Sequence, residues 1–543
     1  MYISGLFIAS SKLKLGTEQN KYLSVMLITT FILALGLVSA LGYAIYHGTR
    51  HDPREPPVIS SGIPFIGHLI GIARHGIEYI GLQTRKHPPY PILSLDMIAS
   101  KIHVVASPGL IYAVQRNNKI ISFDPLLTIV AKQVAGLQGD ALNIIREVES
   151  EGHGLGREIM NAMIPTLTGK SLDKMTHQIL RSLRPFFDDL DGIHTVDLYD
   201  WCRHAITVSS TDAKYGHLNP YKDRATADEF WSFQSNFSLL LADLFPWLTA
   251  RKAWKGRELV VSAMTQYYLL GGHENSSDIT LALFNTARDA GLSIEETARL
   301  ESIVTIALLS NTVPATFWVL FDLYSRPKLL GSIREEIEHN VLRVTAHGLH
   351  IVNLSDIRDN CPLLISTFQE ILRTRTTAAS MRIVMKDVLL AQQYFLKAGS
   401  ILTMPAEAIG RSPNIWGSSA DEFDERRYMK SVSSGTGIEN KTRDARRVGG
   451  LMTFGVPPTL CPGRHLASGE ILGLAAMMVL QYDLFPASGV WQEPRRSSLS
   501  LVSVMGPLKD PFNTIVRKRE GFESTSWEFR LEEGKGNFPL QVG

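Results

Sequence analysis

The chain has 543 residues, 45% of them apolar and 20% charged, so it can bury a large core and falls outside the disordered class. Its 55 basic and 53 acidic residues nearly cancel to a formal net charge of +2, which gives no basis for nucleic acid as a partner. Only three cysteines occur, Cys202, Cys361 and Cys461; a sparse, odd set makes no disulfide framework and agrees with a reducing compartment around the folded part.

Residues 1–21 read as an N-terminal tail. Tyr22 to Tyr46 then runs for 25 residues without Asp, Glu, Lys, Arg or His, which predicts a transmembrane helix over 22–46. At about 1.5 Å per residue such a run crosses a hydrocarbon core of about 30 Å. A secretory signal is the rival, but its apolar region is usually about 7–15 residues, and no clean small-x-small cleavage site precedes the first soluble segment. Lys12, Lys14 and Lys21 lie before the span, and Arg50 and Arg54, offset by Asp52 and Glu55, lie after it. The lysines alone would place the rest of the chain in the lumen, whereas the cysteine usage favours the cytosol.

Residues 47–67 carry Pro53, Pro56, Pro57 and Pro64 and predict a stiff, extended spacer that turns the soluble part back toward the membrane. From 68 to 543 there is no long Gly/Ser linker, repeat or heptad run, so one catalytic domain is expected. Ser293 and Glu296 form a capping box that opens a long apolar helix through Leu323. A second helix is expected over Pro362 to Arg375, where apolar residues recur with helical spacing. Short strands follow at Arg382 to Leu390 and Ile401 to Met404, ended by Pro405. Ser431 to Gly450, with Lys441, Arg443, Arg446 and Arg447, reads as an exposed loop, and Leu466 to Val479 as a helix. The fold class is mainly α with small β-sheets.

Four sets of residues carry candidate chemistry. Cys461 stands in a Pro/Gly-rich turn just before a helix N-terminus, where unpaired N–H groups favour a thiolate; the plainer reading is an ordinary cysteine at a loop–helix junction. Ser310, Asn311 and Thr312 are three consecutive polar residues inside an apolar helix, and Pro314 removes the N–H that would bond Ser310. They suit either an oxygen-side groove or a kinked core helix that satisfies its own carbonyls. Glu370 and Arg373, three apart on a helix, share one face, as a surface ion pair would also do. Arg382 begins a strand and would on its own simply reach solvent.

These segments resemble the cytochrome P-450 superfamily. Phe454, Cys461 and Gly463 match its haem-binding signature, while Pro457 stands where glycine is usual and Thr459 where a basic residue is common. The resemblance implies a cytochrome P-450 fold preceded by the transmembrane helix, with haem as cofactor and Cys461 as its axial ligand through iron. It implies cofactor contacts from Arg382, Phe454 and Arg464, and a buried structural cluster of Glu370, Arg373 and Arg427. Glu425 and Arg426 replace the usual Pro-Glu before Arg427. No tryptophan-x-x-x-arginine pair is evident between residues 150 and 190, so the second haem propionate has no assigned partner. Ser310 and Asn311 occupy the positions where relatives carry an acid and a threonine. That substitution resembles the branch of the sterol 7α-hydroxylases, oxysterol hydroxylases and prostacyclin synthase, and an amide orients water but is a poor acid.

The implied function is a monooxygenase that inserts one oxygen atom from dioxygen into a lipophilic substrate, with Ser310, Asn311 and Thr312 as catalytic candidates. The implied pocket draws on Phe123 to Val134, Ser310 to Ala315, Thr376 to Ser380 and Val504 to Gly506, a lining suited to a fungal terpenoid, steroid-like or polyketide-derived metabolite. Partners would be the membrane and an NADPH-dependent reductase docking near Lys441, Arg443, Arg446 and Arg447. The location would be the endoplasmic reticulum, as a single-pass protein facing the cytosol. A reductase-independent isomerase or dehydratase of the same fold, and a membrane-tethered lipid-binding protein without catalysis, stay open as alternatives.

Overall fold

The computed structural model describes residues 52–538 apart from 64–65, 98–100, 151–153, 193–194, 244, 430–449, 498–502 and 535, together with residues 35–36. The helix expected over 22–46, but for those two residues, and the basic loop of Lys441, Arg443, Arg446 and Arg447 lie outside the described residues. Among the described residues the one helix long and apolar enough to cross a bilayer is Ile294–Tyr324. It lies in the core, with 72% of its most apolar window buried by other parts of the chain.

Six helices position the site. Helix α1, Gly169–Asp188, buries Leu172, Met175, Ile179, Leu180, Leu183 and Phe187 at helical spacing. Helix α2, Leu198–Tyr215, starts where the Asp197 side chain accepts the amides of Tyr199 and Asp200 at 3.1 and 3.4 Å. Helix α3, Ile294–Leu309, opens on the expected capping box: the Glu296 amide donates to Ser293 Oγ at 3.2 Å and the Ser293 amide to Glu296 Oε2 at 2.7 Å.

The helical assignment is interrupted at Ser310 and Asn311, whose backbone stays in the right-handed region with Asn311 at φ −104°, and it resumes as α4, Thr312–Tyr324. A single helix through Leu323 was expected, with an opening at Pro314; the structure has that opening as a local break in the Ile294–Tyr324 run, where Pro314 has no N–H to return to Ser310. Every residue of α4 is buried. Helix α5 spans Pro362–Arg375, and α6 spans Arg464–Gln481. Helix α4 packs on α2 and α6, and α1 packs on the same two, so the apolar residues of all of them share one core.

A six-stranded sheet forms beside this helical core. Strands β1 Val58–Ile59, β2 Ile92–Asp96, β3 Lys101–Val105, β4 Ile121–Ser122, β5 Ala379–Val384 and β6 Ile401–Pro405 lie in the order β1-β2-β3-β6-β5-β4. Strands β1 and β2 are parallel, as are β3 and β6, and the other pairs are antiparallel. The described part of the proline-rich spacer is therefore no free linker. Glu55 is buried against Lys101 at 2.5 Å and Lys397 at 3.2 Å, the Phe395 amide donates to the Arg54 carbonyl at 2.9 Å, and β1 completes the sheet edge. Two lysines supply the counter-charges that let an acidic spacer residue go inside, so the folded unit begins before residue 68.

Candidate active site

The cysteine is presented by a hairpin. Strand β7, Gly455–Val456, pairs antiparallel with β8, Thr459–Leu460, around a cis Pro457–Pro458 peptide. Gly455 sits at φ +85°, and a Cβ there would meet the Thr459 carbonyl at 2.9 Å, so glycine alone fits. The Cys461 amide donates to the Phe454 carbonyl at 2.8 Å, closing the hairpin, and Gly463 caps α6 two residues later. Arg464 leads α6 and donates from Nη1 to the Cys461 carbonyl at 3.1 Å, a contact that holds the turn. Cys461 is open to a cavity that it helps line. Burial raises the pKa of its free thiol, opposed by the Gly463 amide and the Arg464 charge.

That cavity has a volume of about 390 Å³, within the range of small-molecule sites of about 300–1,000 Å³. Phe454, Cys461, Pro462 and Gly463 form one part of its wall, and Ala307, Leu308, Asn311, Thr312 and Ala315 another. Leu127, Val130 and Ala131 line it within the expected 123–134 stretch, and Val504 and Met505 within 504–506. Leu155, Ile159 and Met160, from helix 155–163, also face it and were not expected.

Two expected contributors stand off the wall. Ser310 is buried but is not among the lining residues. Thr376 to Ser380 are likewise absent from the lining; Thr376 donates to the Leu372 carbonyl and meets Thr453 Oγ1 at 2.8 Å, so this segment supports the wall from behind. Of the oxygen-side residues, Thr312 donates its hydroxyl to the Leu308 carbonyl at 2.9 Å, and Asn311 Oδ1 accepts the Val504 amide at 2.7 Å.

Two ionisable residues interrupt the apolar lining. Lys214, from α2, is ion-paired with Glu301 of α3, whose carboxylate also accepts the hydroxyls of Tyr215 at 2.9 Å and Tyr268 at 2.7 Å. Glu470, from α6, accepts Ser210 Oγ at 2.6 Å, and burial pushes its carboxyl up to about 8. At neutral pH that group is largely a neutral acid.

Arg382 lies in β5, buried, with Nη1 donating to Ser380 Oγ at 3.0 Å and to the Met381 carbonyl at 2.7 Å. Its guanidinium faces the Phe123 ring at 5.4 Å. Burial, and next the nearby charge of Arg157, push it down to about 10, and among the described residues no carboxylate lies within ion-pair distance of it. Arg157 itself is bound to Asp124 through Nε at 2.9 Å. A buried cation held beside a second one asks for an anion.

Away from the cavity, Glu370, Arg373 and Arg427 meet in one closed cluster. Arg373 donates to both Glu370 oxygens at 2.7 Å, and Arg427 Nε to the same carboxylate at 3.0 and 3.1 Å. The other guanidinium hydrogens go to the carbonyls of Gly410, Ala420, Ser419 and Glu422. Trp416 covers both arginines, with ring centroids 5.3 and 5.8 Å away.

A lone accessible cysteine ahead of a helix, a broken apolar helix on the same cavity and an unpaired buried arginine suit one kind of ligand: a flat, apolar, metal-bearing ring with carboxylates at its edge. They define a haem-thiolate class of protein. A sequence profile described as "Cytochrome P450" matches residues 56–510, and the chain belongs to that family.

The chain is 37% identical to the cytochrome P450 monooxygenase nodJ of Hypoxylon pulicicidum, over 93% of this chain and 99% of that one. It is 24% identical to a cytochrome P450 monooxygenase of Gibberella zeae, over 88% and 92%, and 22% identical to the cholesterol 7-alpha-monooxygenase of Cricetulus griseus, over 86% and 94%. Among solved structures, the retinoic acid bound cyanobacterial CYP120A1 superposes with a TM-score of 0.65 at 15% identity, over 86% of this chain and 99% of that one, and so shares the fold. The family and fold imply a haem ligated by a cysteine thiolate, and the relatives' names mark an oxidoreductase. Members of the family in general use redox partners and lipophilic substrates.

Proposed function

We propose that the protein is a membrane-anchored monooxygenase that hydroxylates a bulky, lipophilic, polycyclic substrate, with Cys461 as the axial ligand of its haem. One observation carries this reading: of the three cysteines, Cys461 alone faces the cavity, while Cys202 and Cys361 are buried in packing. Bound haem supplies the activation of dioxygen and the electron transfer the reaction needs. Around it, Arg382 would offer the unpaired cation for one propionate, and Arg157, inside the 150–190 stretch where no tryptophan-x-x-x-arginine pair is evident and paired with Asp124, would be the second. Phe454 would contact the ring, and Arg464 acts through the Cys461 carbonyl. Thr312 and Asn311 line the substrate space; Ser310 acts through the helix break.

The lining favours a terpenoid or steroid-like substrate, because apolar walls with few polar groups hold a rigid lipophile by shape. The cholesterol oxidised by one relative is of that kind. The 22–46 run without charged residues, together with exposed Ile66, Leu69, Ile70, Trp247 and Leu248, supports a single-pass position at the endoplasmic reticulum. The domain then faces the cytosol, where an NADPH-dependent reductase docks near the basic residues of the 441–447 sequence.

Reconstitution in vesicles with such a reductase and NADPH tests the reading, with oxygen uptake and product followed against a terpenoid and sterol panel. Substrate-dependent oxygen consumption is expected, as is a carbon monoxide difference band of thiolate type. Cys461→Ser should remove both. Turnover without NADPH would favour the isomerase instead, and a protein that retains no haem would end the reading.

A further inference from the structure

Asn311 occupies the break between α3 and α4 with φ −104°, well off the regular helical value of about −63°. Its Oδ1 accepts the backbone amide of Val504, 193 residues away, at 2.7 Å. Val504 also offers its carbonyl to the Thr377 amide, which donates to it at 2.8 Å. One residue thus joins three segments through its two flanking peptides: the helix break, the 376–377 segment behind the wall and the 504–505 loop on it. Val504, Met505 and Asn311 all line the cavity.

We propose that Asn311 is a positioning residue, a latch whose carbonyl oxygen fixes the Val504–Met505 wall against the oxygen-side helix and so sets the pose of the bound substrate. The inference rests on the cavity being the substrate chamber of a haem-thiolate enzyme. An amide has no proton to give at neutral pH, and here its acceptor oxygen is already committed to Val504. Without that oxygen the Val504 N–H would lose its partner beside an apolar chamber, and the loop would move to find another.

Hydrogen exchange at the Val504 amide in the purified holoprotein reads the latch directly. Asn311→Ala should speed that exchange by about tenfold, the size of one lost hydrogen bond. Asn311→Asp should leave it near the wild-type rate, because a buried carboxyl turns neutral and still offers a carbonyl oxygen. The second readout is the ratio of dissociation constants for imidazole and 4-phenylimidazole, from the Soret shift. The phenyl group carries the larger probe further into the cavity than imidazole reaches, so Asn311→Ala should change the ratio by about threefold or more.

Val504→Pro deletes the donor instead of the acceptor. It should change the azole ratio like Asn311→Ala, and the double variant should change it no further. Unchanged Val504 exchange in Asn311→Ala overturns the latch, as does an Asn311→Asp protein that behaves like Asn311→Ala, or full additivity in the double variant. A chain that binds no haem would silence the azole titration and refute the functional reading; exchange at Val504 would still decide the latch.

Discussion

Arg373 and Arg382 are nine residues apart, both buried, and differently satisfied. Arg373 makes five hydrogen bonds, two to a carboxylate and three to carbonyls, while Arg382 makes two, both through Nη1, and among the described residues meets no carboxylate. A closed network of charges stabilises the fold when complete and penalises it heavily when broken. An open one signals a partner from outside the chain. The contrast separates scaffold from site without reference to any relative.

The largest effect is expected at the closed network. Glu370→Gln keeps the shape but leaves two buried guanidiniums facing a neutral amide, so unfolding free energy should drop by about 3–5 kcal/mol. Chemical denaturation of the purified protein measures it. A loss below about 1 kcal/mol would mean that the cluster is no scaffold, and the contrast with Arg382 would fail.

At the open network the stability effect should be small and the cofactor effect large. Arg382→Met gives up two hydrogen bonds and the contact with Phe123 but also removes a desolvated charge, so stability without haem should stay within about 1 kcal/mol. Haem should transfer to apomyoglobin roughly tenfold faster, reflecting one lost charge-assisted contact. A variant that unfolds as readily as Glu370→Gln, with unchanged haem transfer, would show that Arg382 is structural after all.

What the sequence discloses follows the range of the interaction. The Ser293–Glu296 box, the Glu370–Arg373 pair and the helix opening near Pro314 are local, set by residues within four positions of one another, and each lies where spacing puts it. The spacer before residue 68 was misjudged because the partners of Glu55 are 46 and 342 residues further on. Thr376 to Ser380 was assigned to the wall by resemblance, yet the Thr376 hydroxyl turns to Leu372 and Thr453, which line the cavity in front of it. Arg157 and Lys214 needed tertiary packing to be recognised. Glu470 did not: an acid in the middle of the apolar run from Leu466 to Val479 was a visible anomaly, since a buried carboxyl needs either a partner or a proton.

Glu470 therefore gives the smallest and most specific test of the difference between closed and open charges. Glu370 has two cations, whereas among the described residues Glu470 has Ser209 and Ser210 alone as hydrogen-bond donors, and burial lifts its carboxyl from the ordinary 4.5 to about 8. The folded chain then holds the proton more tightly than the unfolded chain. Stability attributable to this group is full below about pH 4.5, falls as pH rises toward 8, and is lost above it. Glu470→Gln carries no such proton, so thermal and chemical unfolding should find it within about 1 kcal/mol of wild type at pH 5 and more stable by on the order of 4 kcal/mol at pH 8. Parallel pH curves for the two proteins would mean that Glu470 ionises freely in the fold, with a cation or water beside it, and the internal end of the cavity would then belong with the satisfied charges.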